Sequence, residues 1–331
     1  MMNSRQRFLA TMLGGAPDRI PLLEEGLREE VLNAWQEQGL PPQADLQEMF
    51  HFDRREEIAP DFYSALPATK LFSMPGGLEL LNQRLNPDDP KRLPKGWKRK
   101  LNAWQNREHI LILQVHHGFF LTLGIEDGRS FTQTMYLMAD QPEFVRQVMA
   151  IQGEFAVRMA EKILSQVEVD AVLFSEPIAG PHGPLISPRA YQDFVISSYQ
   201  PVLEVVKRFG IATIIYRTYA NAGTLLPVIL QSGFNCLWAC ETNPVQIRGA
   251  AAMDYRQIRQ TFGSDLHLIG GIDLDMLRLG KDAIRREMED KLPPLLEQGG
   301  YLPLADGRVR QDIPWANYCY YRQLLEELTQ P

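Results

Sequence analysis

Ionisable and hydrogen-bonding residues follow a series of short apolar runs along this chain. They are Glu24 and Glu25; His116 and His117; Glu176 and His182; Arg217, Tyr219 and Asn221; Cys240 and Glu241; Asp273; and Asp306 with Arg308 and Arg310. Carboxylates set beside arginines suit an anionic ligand that also offers hydrogen-bond donors, because a guanidinium can grip a carboxylate or phosphate through two N–H groups. Carboxylates that converge push one another's pKa values apart, which separates acid from base roles. On this basis Glu176 and Asp306 are the expected catalytic carboxylates. His116, His182, Arg217, Tyr219, Asn221, Glu241, Asp273 and Arg308 are the expected substrate contacts. Taken singly, each has a plainer reading: a carboxylate at a strand end often caps the next helix, and a histidine beside a Gly/Pro loop often satisfies a carbonyl.

Metal chemistry is not expected. Cys236 and Cys240 are the one close cysteine pair. On a strand they would share a face but lie about 13 Å apart at a rise of roughly 3.3 Å per residue, too far to share one zinc ion. Cys236 reads as core, and Cys240 as a residue that could reach a site. His116 and His117 are neighbours on a strand end, so they should point to opposite sides, with at most one facing a pocket.

The elements that must position these groups alternate regularly. From residue 107 onward, apolar runs at 110–115, 170–174, 211–216, 234–239, 266–269 and 301–304 read as strands. Helical stretches lie between and after them at 142–167, 187–208, 224–231, 255–262, 283–298 and 314–328. Ser187 should cap its helix, with Pro188 at the first helical position. Near the start, 3–13 reads as a helix that Ser4 could cap, and 19–23 as a strand. Residues 40–105 are rich in Pro, Asp, Lys and Trp and weakly periodic, so they read as an elaborated insertion within one domain spanning 1–331. Strands buried on both faces and joined by helices imply a parallel sheet with right-handed crossovers. With seven or eight strands and no Gly-x-Gly-x-x-Gly after the first, the expected fold is an α/β (β/α)8 TIM barrel with an N-terminal elaboration, its chemistry at the C-terminal ends of the strands.

Composition narrows the function. The 331 residues carry a net charge of −7, which argues against general nucleic-acid binding. The cluster of Lys95, Lys98, Arg99 and Lys100 reads as a solvated loop. Three cysteines fit a reducing compartment. Residues 1–13 lack a continuous apolar segment, and no run of 18 apolar residues exists, so neither a signal peptide nor a membrane span is expected. A cytoplasmic protein is the expectation.

The segment Met2-Asn3-Ser4-Arg5-Gln6-Arg7-Phe8-Leu9-Ala10-Thr11-Met12-Leu13, followed by Pro17-Asp18-Arg19-Ile20-Pro21, resembles the opening of uroporphyrinogen decarboxylase-like proteins. Gly183-Pro184-Leu185-Ile186-Ser187-Pro188 resembles the loop before that family's long middle helix. Leu268-Ile269-Gly270-Gly271-Ile272-Asp273 resembles its next-to-last strand. Gly299-Gly300-Tyr301 through Asp306, then Asn317-Tyr318, resembles its closing strand and helix. The resemblance covers most of the chain, is weakest over 40–105, and implies a barrel with its site at the C-terminal mouth.

The superfamily implies either decarboxylation or corrinoid-linked methyl transfer. Decarboxylases of the family carry an Arg- and Gly-rich motif after the first strand, where this chain has Leu22-Leu23-Glu24-Glu25-Gly26-Leu27-Arg28. The methyltransferases bind zinc through a His-x-Cys pair and a late cysteine, where this chain has Tyr216-Arg217-Thr218-Tyr219-Ala220-Asn221 and Leu304-Ala305-Asp306-Gly307. The leading expectation is a cofactor-free carboxy-lyase acting on a small anionic substrate, a polycarboxylate or a porphyrin-like tetrapyrrole. The alternatives are a methyltransferase served by a corrinoid partner protein, with zinc or a corrinoid entering only then, and a non-catalytic tetrapyrrole-binding or partner protein. The resemblance also implies a homodimer, for which the sequence carries no interface signature.

Overall fold

The computed structural model describes residues 1–242 and 253–330. Its described strands, in chain order, are β1 (Arg55–Ile58), β2 (Ile110–His116), β3 (Ala171–Glu176), β4 (Ala179–Gly180), β5 (Gly183–Pro184), β6 (Ile214–Tyr219), β7 (Cys236–Cys240), β8 (His267–Ile272) and β9 (Tyr301–Ala305). Strands β4 and β5 form a small antiparallel hairpin. The other seven make one parallel sheet in the order β1-β2-β3-β6-β7-β8-β9, with helices between them.

The sheet curls. Flat, β2 and β9 would stand five strands apart, about 24 Å at 4.8 Å per strand. Yet the single short helix Ser4–Met12 touches both. Its Phe8 and Met12 are buried among Ile110, Ile112, Leu302 and Leu304, closing the lower end of the curl. Asn3, not Ser4, caps that helix: its side chain accepts from the Gln6 N–H, and the Gln6 side chain accepts from the Asn3 N–H in return.

Among the described residues seven parallel strands are laddered, and an eighth ladder of the expected barrel is not seen. The stretch 19–23, expected as a strand, forms no ladder, and Pro21 has no N–H to donate. The chain here still spans the gap between the sheet edges. On the β1 side, Asp53 N–H donates to the Leu22 carbonyl (2.9 Å). On the β9 side, Leu27 bridges Val309, and Val309 N–H donates to the Gly26 carbonyl (2.9 Å).

Residues 40–105 do more than elaborate the fold, since they supply edge strand β1. This strand escapes the sequence pattern because three of its four residues, Arg55, Glu56 and Glu57, are charged. The other strands of the parallel sheet fall where the apolar runs lie, though β6 begins at Ile214 and reaches Tyr219, three residues beyond the expected end, while β4 and β5 form in a loop where no strand is expected. The long helix Pro142–Leu164 packs closely on Ser197–Arg208 at Gly153, where a Cβ would come within 2.6 Å of the Ser198 carbonyl oxygen. Ser187 caps its helix through the Ala190 N–H, and the helical path then widens into a π-turn over Tyr191–Ile196. No described helix is long and apolar enough to cross a membrane.

Asp53 ties the N-terminal helix, the extended segment and β1 together. One carboxylate oxygen takes the Arg7 guanidinium (2.9 Å). The other takes Arg19 (2.6 Å) and the Leu22 N–H (2.8 Å), and the side chain is 1% exposed. Removing it takes the carboxylate from Arg19 and the Leu22 N–H and leaves Arg7 with Asp18 alone. Asp53→Ala is expected to cost about 3–5 kcal/mol of unfolding free energy, read from the midpoint of urea denaturation; a loss below about 1 kcal/mol would refute the tie.

Candidate active site at the strand ends

Strand alternation sorts the polar groups at the sheet's C-terminal edge. Leu173, Ile215, Trp238, Cys240 and Leu304 face the inside of the curl, while Val172, Phe174, Tyr216, Leu237 and Ala239 face the helices. Arg217 and Tyr219 have the inward parity of Ile215. Glu176 has the outward parity of Phe174.

The floor of the interior is polar. Arg55 from β1 and Arg217 from β6 both lie over the indole of Trp238, at 4.7 and 5.3 Å from its ring centre. Glu57 accepts from Arg217 (3.4 Å) and stands 3.7 Å from Arg55. Arg55 Nη1, Arg217 Nε, Trp238 Nε1 and Glu25 Oε2 are buried without a hydrogen-bond partner. Four such atoms around one space are unusual, since buried polar groups are nearly always paired. Next to this group, and linked to it through Glu25 and Tyr219, which both interact with Arg217, lies a cleft of about 460 Å³ lined by Glu25, Arg28, Tyr219, Glu241, Gly307 and Arg308, with Glu29 and Glu30.

The electrostatics follow from partial burial. Burial raises the Glu25 carboxyl above its ordinary range, against the pull of Arg217 and Arg55. Burial alone would lower Arg217, but Glu57, Tyr219 and Glu25 outweigh it and hold the guanidinium charged. Burial pushes Tyr219 up to about 12 and Cys240 well above the usual thiol range, so neither is an anion at neutral pH.

Two tight turns aim the rim. Ala220 and Glu241, the first residues after β6 and β7, have left-handed φ of 56° and 51°, at a cost of about 1 kcal/mol or more each. Hydrogen bonds hold both turns: Ala220 N–H donates to the Cys240 carbonyl (2.9 Å), and Glu241 N–H to the Asp306 carbonyl. Asp306 is fastened in the same knot. It accepts from Thr242 N–H (2.8 Å) and Oγ1 (2.7 Å) and from Leu274 N–H (3.1 Å), joining the ends of β7, β8 and β9.

Of the expected contacts, Tyr219, Glu241 and Arg308 line this cleft with Glu25, and Arg217 lies beside it against Glu57. The others lie elsewhere. Glu176, expected as catalytic, is fully enclosed on the helix side, where it accepts from Phe119 N–H (2.9 Å) and Tyr199 OH. Asp306, the other expected catalytic carboxylate, is 2% exposed and spends its oxygens on backbone and threonine donors. His116 is buried beside Tyr199, with ring centres 4.4 Å apart, and its Nδ1 accepts from Gly118 N–H (3.0 Å). His117 stands edge-on to Phe62, and neither histidine lines the cleft. A bulge in β2 between Gln114 and His116 turns His116 outward. His182 is exposed in the hairpin loop. Asn221 accepts from the Gly223 N–H (3.1 Å) and shapes a turn. Asp273 caps the helix Leu274–Leu279 through Asp275 N–H (2.9 Å). Arg310 is engaged by Asp275 and Asp312. The sequence reading missed Arg55, Glu57 and Trp238. Only the register of a charged edge strand against a distant one could have found the first two.

Among the described residues no group of three His, Cys, Asp or Glu side chains converges as a metal site. Cys236 and Cys240 are both buried. A zinc ion held by thiolates does not fit the residues at this cleft.

The family described as Uroporphyrinogen decarboxylase (URO-D) matches the chain over residues 122–302. No curated protein matches it. Among solved structures, a methyltransferase from Methanosarcina mazei superposes with a TM-score of 0.62 at 13% identity, covering 99% of each chain, a likeness of fold.

Burial raises Glu176 to about 7, against the hydrogen bonds from Tyr199 and Phe119. Its folded pKa therefore lies above the unfolded value of about 4.3, and the folded protein holds the extra proton between the two. The stability this supplies is present at low pH and lost as pH rises from about 4.3 to 7. Glu176→Gln, which stays neutral, should gain on the parent protein across that window by on the order of 2 kcal/mol. Urea midpoints at pH 5 and pH 8 check this; a gap that does not change with pH would refute it.

Proposed function

Since the chain belongs to the uroporphyrinogen decarboxylase family, we propose that it is a carboxy-lyase acting on a polycarboxylate or tetrapyrrole-like anion. The observation that carries this is the pair of arginines on Trp238 with unused buried donors, acting on Glu25, a carboxyl of raised pKa that lines the adjoining cleft.

A carboxylate gripped by Arg55 and Arg217 is stabilised as it stands, so it would resist loss of CO2. These arginines would therefore anchor one carboxylate while another, near Glu25, is lost. When that C–C bond breaks, its electron pair stays on carbon and must be met by a proton. Glu25 is the group suited to donate it: burial favours its protonated form, and its Oε2 is free to face a bound molecule. Its proton would be replaced from solvent through the mouth, so each turnover consumes one proton and releases one CO2. Asp306 would serve by holding the rim turns, and Glu176 by fixing the helix behind β3. The extended segment at Leu22–Leu27 would complete the eighth position of the family's barrel and deliver Glu25 to the site.

Arg217→Ala is expected to weaken binding of a carboxylated porphyrinogen about 10- to 100-fold, as loss of a charge-assisted contact would, with little change in melting temperature. Titration by absorbance and a thermal melt check the two halves. Binding unchanged with a large stability loss would make Arg217 a structural residue. Release of CO2 from the porphyrinogen supports the lyase. Demethylation of an added methylcorrinoid without CO2 release would favour methyl transfer, and binding without either reaction a carrier role.

A further inference from the structure

Glu24 and Glu25 are chain neighbours with opposite fates. The Glu25 side chain lines the cleft, with one oxygen unpaired. The Glu24 carboxyl turns the other way, against the helix Trp315–Thr329, and its side chain is 9% exposed. Both of its oxygens are in use. Oε1 accepts from the Glu25 N–H (3.0 Å) and Oε2 from the Tyr318 hydroxyl (3.0 Å), while Arg322 Nη1 stands 3.7 Å from Oε2. Burial raises the Glu24 carboxyl to about 7 despite these partners, so its charge is not what the fold favours there. What the position uses is an acceptor. The stretch from Leu22 to Gly26 belongs to no strand, and single hydrogen bonds set its path. Arg322 takes the Leu23 carbonyl (3.0 Å), Arg55 the Glu24 carbonyl (3.4 Å) and Val309 N–H the Gly26 carbonyl (2.9 Å). Each of these fixes a carbonyl. The amide of Glu25 itself is fixed by the Glu24 side chain. Gly26 follows with a φ of 128°, open chiefly to glycine, so the backbone turns sharply just beyond Glu25.

A buried amide without an acceptor is costly, so without Glu24 the backbone would rotate to give this N–H to water and would carry the Glu25 carboxyl with it. We propose that Glu24 is a positioning residue: by accepting the Glu25 N–H it holds the Glu25 carboxyl turned into the cleft, and through Tyr318 it ties that arrangement to the helix Trp315–Thr329. The use made of Glu25 once it is in place rests on the carboxy-lyase reading; its placement does not.

Two substitutions separate the acceptor from the bulk of the side chain. E24Q keeps an oxygen for the Glu25 N–H and can reverse the Tyr318 bond. E24M keeps the length and loses both bonds, and as a buried carboxyl exchanged for an apolar side chain of similar size it should still fold. Both remove the Glu24 charge, so a difference between them reads the hydrogen bond alone. The readout is the protonation of Glu25, followed by NMR in protein carrying isotope-labelled glutamate, with the E25Q variant to identify its signal. Burial is what raises the Glu25 carboxyl, so a carboxyl released toward solvent binds its proton more weakly. Glu25 is expected to bind its proton about threefold or more weakly in E24M than in E24Q. Y318F keeps its ring packed against Trp35, loses only the hydroxyl, and should move Glu25 in the same direction as E24M. Equal proton affinities in E24M and E24Q, even with a large loss of urea stability in E24M, would make Glu24 a brace of the fold and overturn the positioning role. An unmoved Glu25 in Y318F would overturn the tie to the helix. Release of CO2 is not among these readouts, so a failure to decarboxylate a porphyrinogen leaves the placement standing, and an unmoved Glu25 removes the placement alone.

Discussion

A strand shows its side chains to alternate sides, and in a curled sheet those sides have different fates. One meets the enclosed interior, the other the helices. Nearly everything at the cleft follows from that constraint. Arg217 and Tyr219 enter the interior because Ile215 does, and Thr218 between them donates to the Glu176 carbonyl on the far side. Trp238 enters because Cys236 and Cys240 do. On β3 the parity falls the other way for the carboxylate, so Glu176 meets Tyr199 of the helix layer. A one-residue difference in register separates a group that can meet substrate from one that cannot.

Pairing holds the mouth where alternation alone would leave it loose. Loops leaving parallel strands have no ladder of their own, and here Asp306 replaces one. Its two oxygens and its carbonyl collect donors from the exits of β7 and β8. That knot can sustain the left-handed backbone at Glu241 because both neighbours of the turn are fixed. The buried carboxyls thus divide into two kinds. Glu176 and Asp306, fully paired, brace the scaffold, while Glu25, with an unpaired oxygen, faces the open space.

Much of the architecture was legible because apolar runs mark strands buried on both faces. The runs at 110–115 and 301–304 lie within β2 and β9, and the helix over Tyr255–Phe262 has the expected bounds. Legibility failed where burial is not apolar. Strand β1 is written Arg55-Glu56-Glu57-Ile58, and the partners of its charges, the Arg217 guanidinium and the Trp238 ring, lie far along the chain. No local pattern reports such a pairing. At the site, residue type identified Arg217, Tyr219, Glu241 and Arg308, but type is silent on parity. Hence Glu176 and His116 looked equivalent to residues that face the other way, the second because a bulge shifts β2 by one. Asn221 and Asp273 have the plainer roles open to such residues, a turn and a helix cap.

Trp238 is a plate shared by two guanidinium groups that come from distant parts of the chain. Groups that share a partner do not vary independently, and the effect of changing one depends on whether the other is present. The floor is therefore epistatic by construction. A lineage could not exchange Arg55 or Arg217 singly for another specificity without unsettling the remaining cation, and a change at Trp238 would disturb both together. Divergence in what this fold accepts is more accessible at the rim, where Glu29, Glu30 and Arg28 are exposed and can be replaced one at a time. Substitution among the residues that share Trp238 is thus coupled in a way that substitution at the mouth is not.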